Sequence, residues 1–175
     1  MSELKIAIRH EKEGDYPIIT LVNDLAFGQK NEGQLVEKLR RTEKFIPELS
    51  LVAVIKNKIV GHILFYPVSI KTKSSTYPTL SLAPMAVIPE FQNRKIGSRL
   101  VIEGLKKAKA LGYRSVIVLG HPEYYPRFGF QPASKWHIHG PFDAPDNCFM
   151  AIELVPGELE GKGGIVEYPE AYHQV

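Results

Sequence analysis

The segment Pro89-Glu90-Phe91-Gln92-Asn93-Arg94-Lys95-Ile96-Gly97-Ser98-Arg99-Leu100 gathers the residues best suited to hold an anion. It leads into an apolar repeat that starts near Ile96 and reads as a helix. The first N–H groups of a helix lack intrahelical partners and sit at the positive end of its dipole. Gly97 lets a bound group approach the backbone, and Arg94, Lys95 and Arg99 add positive charge. A pyrophosphate suits such a place. The segment is not a P-loop, because no Gly-Lys-Ser/Thr follows, and it lacks the Gly-x-Gly-x-x-Gly dinucleotide fingerprint. A second segment, Gly120 to Phe130, places His121, Tyr124, Tyr125 and Arg127 close together in sequence. His137, His139 and Cys148 match no zinc spacing and have no second cysteine beside them, so they read as loop residues and no metal site is expected.

The elements that must position these groups follow from the hydrophobic pattern. Leu4 to Ile8 alternates like a strand. Asp15 stands where a cap belongs, ahead of a helix with Ile18, Ile19, Leu21, Val22, Leu25 and Ala26, which Gly28 ends. A second helix spans about Glu32 to Arg41, with Leu35, Val36 and Leu39 on one side. Leu51 to Ile55, Ile59 to Ile70 and Thr79 to Val87 read as strands joined by hairpins, the first through a tight turn at Asn57-Lys58. The best helix runs from about Ile96 to Leu111, with Val101, Leu105, Ala108 and Leu111 on its inner face. Gly97 and Gly104 on that face allow close approach to a sheet, and Gly112 caps the end. Ser115 to Leu119 follows as a buried strand, so strand, helix and strand form a parallel crossover. A Pro/Gly-rich stretch, His139 to Pro145, precedes a last strand at Phe149 to Leu154. The pattern predicts one α+β domain over residues 1–175, with a mixed, mostly antiparallel sheet and helices on both faces.

Bulk properties limit the function. With 22 Lys and Arg against 19 Asp and Glu, the net charge of +3 is small and its basic residues are scattered, so no nucleic-acid groove is expected. No apolar run approaches the roughly 20 residues needed to span a bilayer, and no membrane association is expected. The opening Met1 to Gly14 has no apolar core of a signal peptide. The single cysteine, Cys148, forms no internal disulfide, in keeping with the cytoplasm.

The two chemical segments together resemble the GNAT acetyltransferases. Gln92 to Gly97 is similar to that family's Gln/Arg-x-x-Gly-x-Gly/Ala loop, with Lys95 where the family usually has glycine. Lysine fits there if the backbone needs no positive φ. Val87, Pro89 and Gln92 follow the family's Val-x-Pro-x-x-Gln entrance to the loop. Tyr125-x-Arg127-Phe128-Gly129-Phe130 resembles its Tyr-x-Lys/Arg-Leu/Phe-Gly-Phe signature, and the longer string from Leu119 is similar to the YhbS-like subgroup. The resemblance implies that acetyl-CoA is the cosubstrate and that an amine takes the acetyl group by direct attack. It implies that Gln92, Asn93, Arg94, Lys95, Ile96, Gly97 and Ser98 bind the pyrophosphate. It further implies that Met85, Ala86 and Val87 meet the pantetheine arm through main-chain atoms, where the strand parts from its neighbour at a bulge. Pro84, which cannot donate a ladder hydrogen bond, independently suggests interrupted pairing there.

In such a reaction sulfur leaves as a thiolate. A phenol near it can donate a hydrogen bond or a proton, the role the resemblance implies for Tyr125. Tyr124 is the adjacent competitor. An amine acceptor must also lose a proton, for which Glu32, His62, Glu90, His121 and Glu123 are the candidates. The alternative reading is an acyl-CoA-binding or regulatory module without turnover. Exposed strand ends near the C-terminus would suit a homodimer.

Overall fold

In the computed structural model, which describes residues 5–174, nine strands form one sheet packed with three α-helices. In chain order these are β1 (Ala7–His10), α1 (Tyr16–Phe27), α2 (Asn31–Arg40), β2 (Ser50–Ile55), β3 (Lys58–Lys71), β4 (Thr76–Val87), α3 (Ile96–Ala110), β5 (Ser115–Leu119), β6 (Gln131–Pro132), β7 (Ile138–His139), β8 (Phe149–Glu153) and β9 (Gly164–Glu167). The sheet order is β1-β2-β3-β4-β5-β8-β6, with β9 joining β3 and β7. The described pairs are antiparallel except β4–β5 and β7–β9. This is the expected mixed α+β sheet. No described helix is long and apolar enough to cross a membrane.

Strand β3 shows which helix covers which face. Asn23 of α1 hydrogen-bonds His62. A Cβ added at the adjacent Gly61 would lie 3.1 Å from Leu100 and 3.3 Å from Ile96, both on α3. Successive strand residues point to opposite faces, so α1 covers one face and α3 the other. Thr42, just after α2, bonds the Tyr66 hydroxyl at 2.6 Å on the α1 face. On the α3 face Phe65 is fully buried against Gly104, where an added Cβ would overlap its ring. That burial contributes about 2–3 kcal/mol and depends on the glycine.

Several sequence expectations shift. The first strand begins at Ala7 rather than Leu4, which lies outside the described residues, and pairs Ala7 with Val54 through His10 with Leu51. The hairpin turn is Lys56-Asn57, one residue earlier than expected, since Ile55 pairs with Lys58. Both turn residues have positive φ, 49° and 64°, the geometry that matches strand twist in a two-residue hairpin. Helix α1 buries Ile19, Val22 and Asn23 and leaves Ile18, Leu21 and Leu25 about half exposed. It turns Asn23 inward because a buried histidine on β3 needs a polar partner. In α3, Leu100 replaces Leu111 on the buried face, because the helix ends at Ala110 and Leu111 has left the sheet. Gly112 follows at φ 94°, as a left-handed cap residue.

The functional end of the sheet is made by two irregularities. Between β3 and β4 the register slips, with Ile63 opposite Met85 but Phe65 opposite Leu82, so β4 carries an extra residue around Ala83-Pro84. The β4–β5 pairing covers Leu80–Val116 and Ser81–Ile117 and then stops. Beyond Ser81 the two strands diverge.

The other end of β3 outruns β2, whose pairing ends at Ser50–Leu64. Strand β9 takes up that edge, pairing Ser69 with Glu167, Ile70 with Val166 and Lys71 with Ile165. The chain after β9 lies against Tyr66. Tyr66, Tyr172, Tyr168, Phe142 and Phe149 form a run of ring contacts with centroids 5.2–6.3 Å apart. The sequence reading had no strand at 164–167.

Candidate active site

The loop between β4 and α3 opens with a 3₁₀ turn at Pro89–Phe91. The Gln92 side-chain amide donates to the Val87 carbonyl at 2.9 Å, tying the loop to the end of β4. Asn93 (φ 63°) and Lys95 (φ 65°, ψ 14°) both adopt left-handed backbone. The position usually filled by glycine therefore does require positive φ, and Lys95 holds it at about 1–2 kcal/mol of strain. The first α-helical bond of α3 is Arg99 N to Lys95 O at 3.1 Å. The N–H groups of Ile96, Gly97 and Ser98 precede it and are left for an anion. The Arg94 guanidinium stacks 5.4 Å from the centroid of Phe91.

These residues border a cavity of about 600 Å³. Met85, Ala86 and Val87 of β4 form its floor, while Gln92, Asn93, Lys95, Ile96, Gly97 and Ser98 form one wall. Ala26 and Phe27, at the end of α1, form another. Since α1 and α3 lie on opposite faces of the sheet, the cavity passes through the gap where β4 leaves β5. Gly97 keeps the wall thin, because a Cβ there would sit 3.1 Å from the Met85 sulfur and 3.3 Å from the Tyr124 hydroxyl. Of the coenzyme residues expected from sequence, Arg94 lies outside the lining.

His121, Tyr124, Tyr125 and Arg127 complete the lining from the segment after β5. Tyr125 begins a 3₁₀ turn, Tyr125–Phe128, that Gly129 ends at φ 105°. Its ring is buried beneath Gly120, where a side chain would overlap it, and meets Phe130 edge-on at 5.6 Å. Burial, and then the neighbouring Tyr124, raise the Tyr125 phenol well above its usual range. It therefore stays protonated and keeps a proton with which to donate a hydrogen bond. Tyr124 is less buried. Its hydroxyl pairs with Ser98 Oγ at 3.0 Å across the cavity, and the Arg127 guanidinium stacks 4.5 Å from its ring centroid. Both tyrosines thus reach the cavity, with different neighbours.

The five base candidates separate sharply. His62 is sealed in the core. Its Nδ1 accepts from Asn23 Nδ2 at 3.2 Å, and its Nε2 lies 2.9 Å from Ser50 Oγ. Ser50 donates onward to Glu11, whose two oxygens also take a fork from Arg40 at 2.8 and 2.9 Å. That chain leaves Nε2 carrying the ring proton, so His62 is neutral. Burial, and then the Arg40 charge, lower its pKa to about 3. Glu32 has both carboxylate oxygens on Gln29 Nε2, at 2.9 and 3.0 Å, away from the cavity lining. Glu90 and Glu123 are exposed and also outside the lining. His121 alone of the five borders the cavity.

Sequence reasoning missed Ala26, Phe27, Phe91 and Arg127 as lining residues. Phe27 carried a signal, being a large apolar side chain next to the helix-ending Gly28. Its place at the cavity needed the fold.

Residues 7–133 match the family described as the acetyltransferase (GNAT) domain. The chain is 41% identical over 157 residues to the uncharacterized N-acetyltransferase YjhQ of Escherichia coli K12, covering 87% of each protein. The crystal structure of the GNAT family N-acetyltransferase YhbS from Escherichia coli in complex with CoA superposes with a TM-score of 0.90 at 29% identity, covering 99% of this chain and 94% of that one. A GNAT family acetyltransferase from Brucella melitensis, solved with acetyl-CoA, gives 0.77 at 30% identity, covering 97% and 99%. The match over most of the chain, together with the gap between β4 and β5 and the loop into α3, establishes that the chain belongs to the GNAT acetyltransferase family.

Proposed function

We propose that this protein transfers the acetyl group of acetyl-CoA to an amine by direct attack within a ternary complex. The observation that carries the reading is the cavity passing between β4 and β5, with helix-terminal N–H groups on one side and the end of α1 on the other. The pyrophosphate lies on the N–H groups of Ile96, Gly97 and Ser98, next to Lys95 and Arg127. The pantetheine arm runs along the free edge of β4 at Met85 to Val87 and satisfies main-chain groups that β5 leaves unpaired. The acceptor enters from the α1 side, past Ala26 and Phe27.

At the thioester the amine nitrogen forms its bond to the carbonyl carbon, and the carbon–sulfur bond breaks. Tyr125 donates a hydrogen bond to the sulfur as negative charge gathers there. Tyr124, held by Ser98, shapes the wall of the channel. The single free cysteine, Cys148, supports a reducing compartment such as the cytoplasm.

Calorimetric titration with acetyl-CoA tests the binding half of the reading. Saturable binding that weakens about tenfold or more in Lys95→Glu is expected, since the reversal places a carboxylate beside phosphate. Turnover over a panel of primary amines tests the other half. Tyr125→Phe is expected to lower turnover about 10- to 100-fold with acetyl-CoA affinity nearly unchanged. Binding without turnover across the panel would instead support a coenzyme-binding module.

A further inference from the structure

We propose that His121 is the general base that takes the proton from the incoming ammonium; the inference rests on the transferase reading above. The cavity lining holds few titrating side chains: Lys95, His121, Tyr124, Tyr125 and Arg127. No carboxylate is among the described lining residues. Lysine and arginine already hold their protons at neutral pH, and phenols keep theirs. Imidazole is the side chain that accepts and releases a proton in that range. His62, the other histidine near the functional end of the sheet, has both ring nitrogens occupied by core partners.

The backbone fixes His121 in place. Gly120 N bonds the Cys148 carbonyl at 2.9 Å, and the His121 carbonyl accepts from Tyr124 N at 3.1 Å and Tyr125 N at 3.4 Å. Pro122 confines the preceding residue to extended conformations. The base and the group that assists sulfur departure therefore sit on one short, rigid segment. Lys95 and Arg127 are the charged groups that share the cavity with His121.

The step balances as follows. The ammonium gives one proton to the His121 imidazole, which becomes imidazolium. The neutral amine attacks the thioester carbon, the carbon–sulfur bond breaks, and the nitrogen's second proton passes to the departing sulfur. The products are the amide and free CoA thiol. The imidazolium then returns its proton to water.

The test compares wild type with His121→Gln, measuring CoA thiol release from acetyl-CoA. The probe acceptor is whichever alkylamine of a primary-amine panel the wild type uses fastest. Binding of acetyl-CoA to the two proteins, measured by calorimetry, should agree within about twofold. Near neutral pH the variant should turn over about 10²- to 10⁴-fold more slowly. The gap should close as pH rises toward the amine's own pKa, because the acceptor then arrives already deprotonated. A merely structural role would leave a gap independent of pH. Added imidazole should restore turnover to His121→Gly. Turnover of His121→Gln within threefold of wild type, or a gap that does not narrow with pH, would overturn the assignment and leave the transferase reading intact. Intact acetyl-CoA binding with no wild-type turnover on any amine would overturn both.

Discussion

Acid should destabilise this protein through one residue, His62, and the size of the effect can be worked out. The native histidine is neutral, with its pKa lowered from 6.5 to about 3 by burial and then by Arg40. An unfolded chain protonates the same ring near its ordinary value. Between those two values the unfolded state binds one more proton than the native state, so stability falls as pH falls. Above about pH 7 the contribution is complete. From pH 7 to pH 5 the loss is about 2 kcal/mol, and it reaches about 4 kcal/mol near pH 3, from 1.36 kcal/mol per pH unit. Urea unfolding at both pH values, followed by the fluorescence of the single buried tryptophan, Trp136, gives the measurement. His62→Gln removes the titration while keeping an amide to meet Ser50 and Asn23. The variant starts less stable, but its loss between pH 7 and pH 5 should be about 2 kcal/mol smaller than that of wild type. Equal losses in the two proteins would show that the ring is charged or exposed in the native state and would refute the network described here.

Three other perturbations probe different parts of the structure. Lys95→Gly should relieve the left-handed strain at φ 65° and raise stability by up to about 1 kcal/mol, less the added freedom of the unfolded chain; thermal unfolding reads the stability, and calorimetry should show weaker acetyl-CoA binding from the lost charge. Gly104→Ala should cost about 1–3 kcal/mol by pressing a methyl into Phe65, measured by urea unfolding, with Gly112→Asn as a milder control at a left-handed cap. Arg40→Met should cost about 3–5 kcal/mol, because it leaves the Glu11 carboxylate buried without its forked partner; double substitution with Glu11→Leu should recover much of the loss.

The sheet was legible in sequence because its central strands are long apolar runs and its crossover helix is strongly periodic. The GNAT resemblance then placed the loop at Gln92 to Ser98 and the segment at Tyr125, and the structure brings both to one cavity. What sequence could not give was the direction of individual side chains. Helix α1 has apolar residues on more than one side, and only the partner at His62 decides that Asn23 turns inward while Leu21 and Leu25 face out. His62 and His121 look equally suited to proton transfer as letters, yet one is locked in the core and the other borders the cavity. The short strands β7 and β9 escaped notice because each is set by its partner rather than by its own composition. The need for positive φ at Lys95 was equally hidden, since lysine carries no conformational signal for it.

The edge that β9 covers has a consequence for how the chain reaches its native state. Ser69 pairs with Glu167, a contact very distant in sequence, and such contacts are slow to form because the intervening loop must be closed first. Until then β3, paired with β4 on one side, leaves its other edge open at Ser69 to Lys71, and an open strand edge can recruit other chains. Gly163 packs against the main chain of Trp136 and His137, and β7 beside them joins β9. The fluorescence of Trp136 should therefore report that last docking in refolding experiments, as a slow phase that lengthens when Val166 is truncated. Aggregation during refolding should compete with that phase alone, growing with protein concentration while the faster phases stay unchanged.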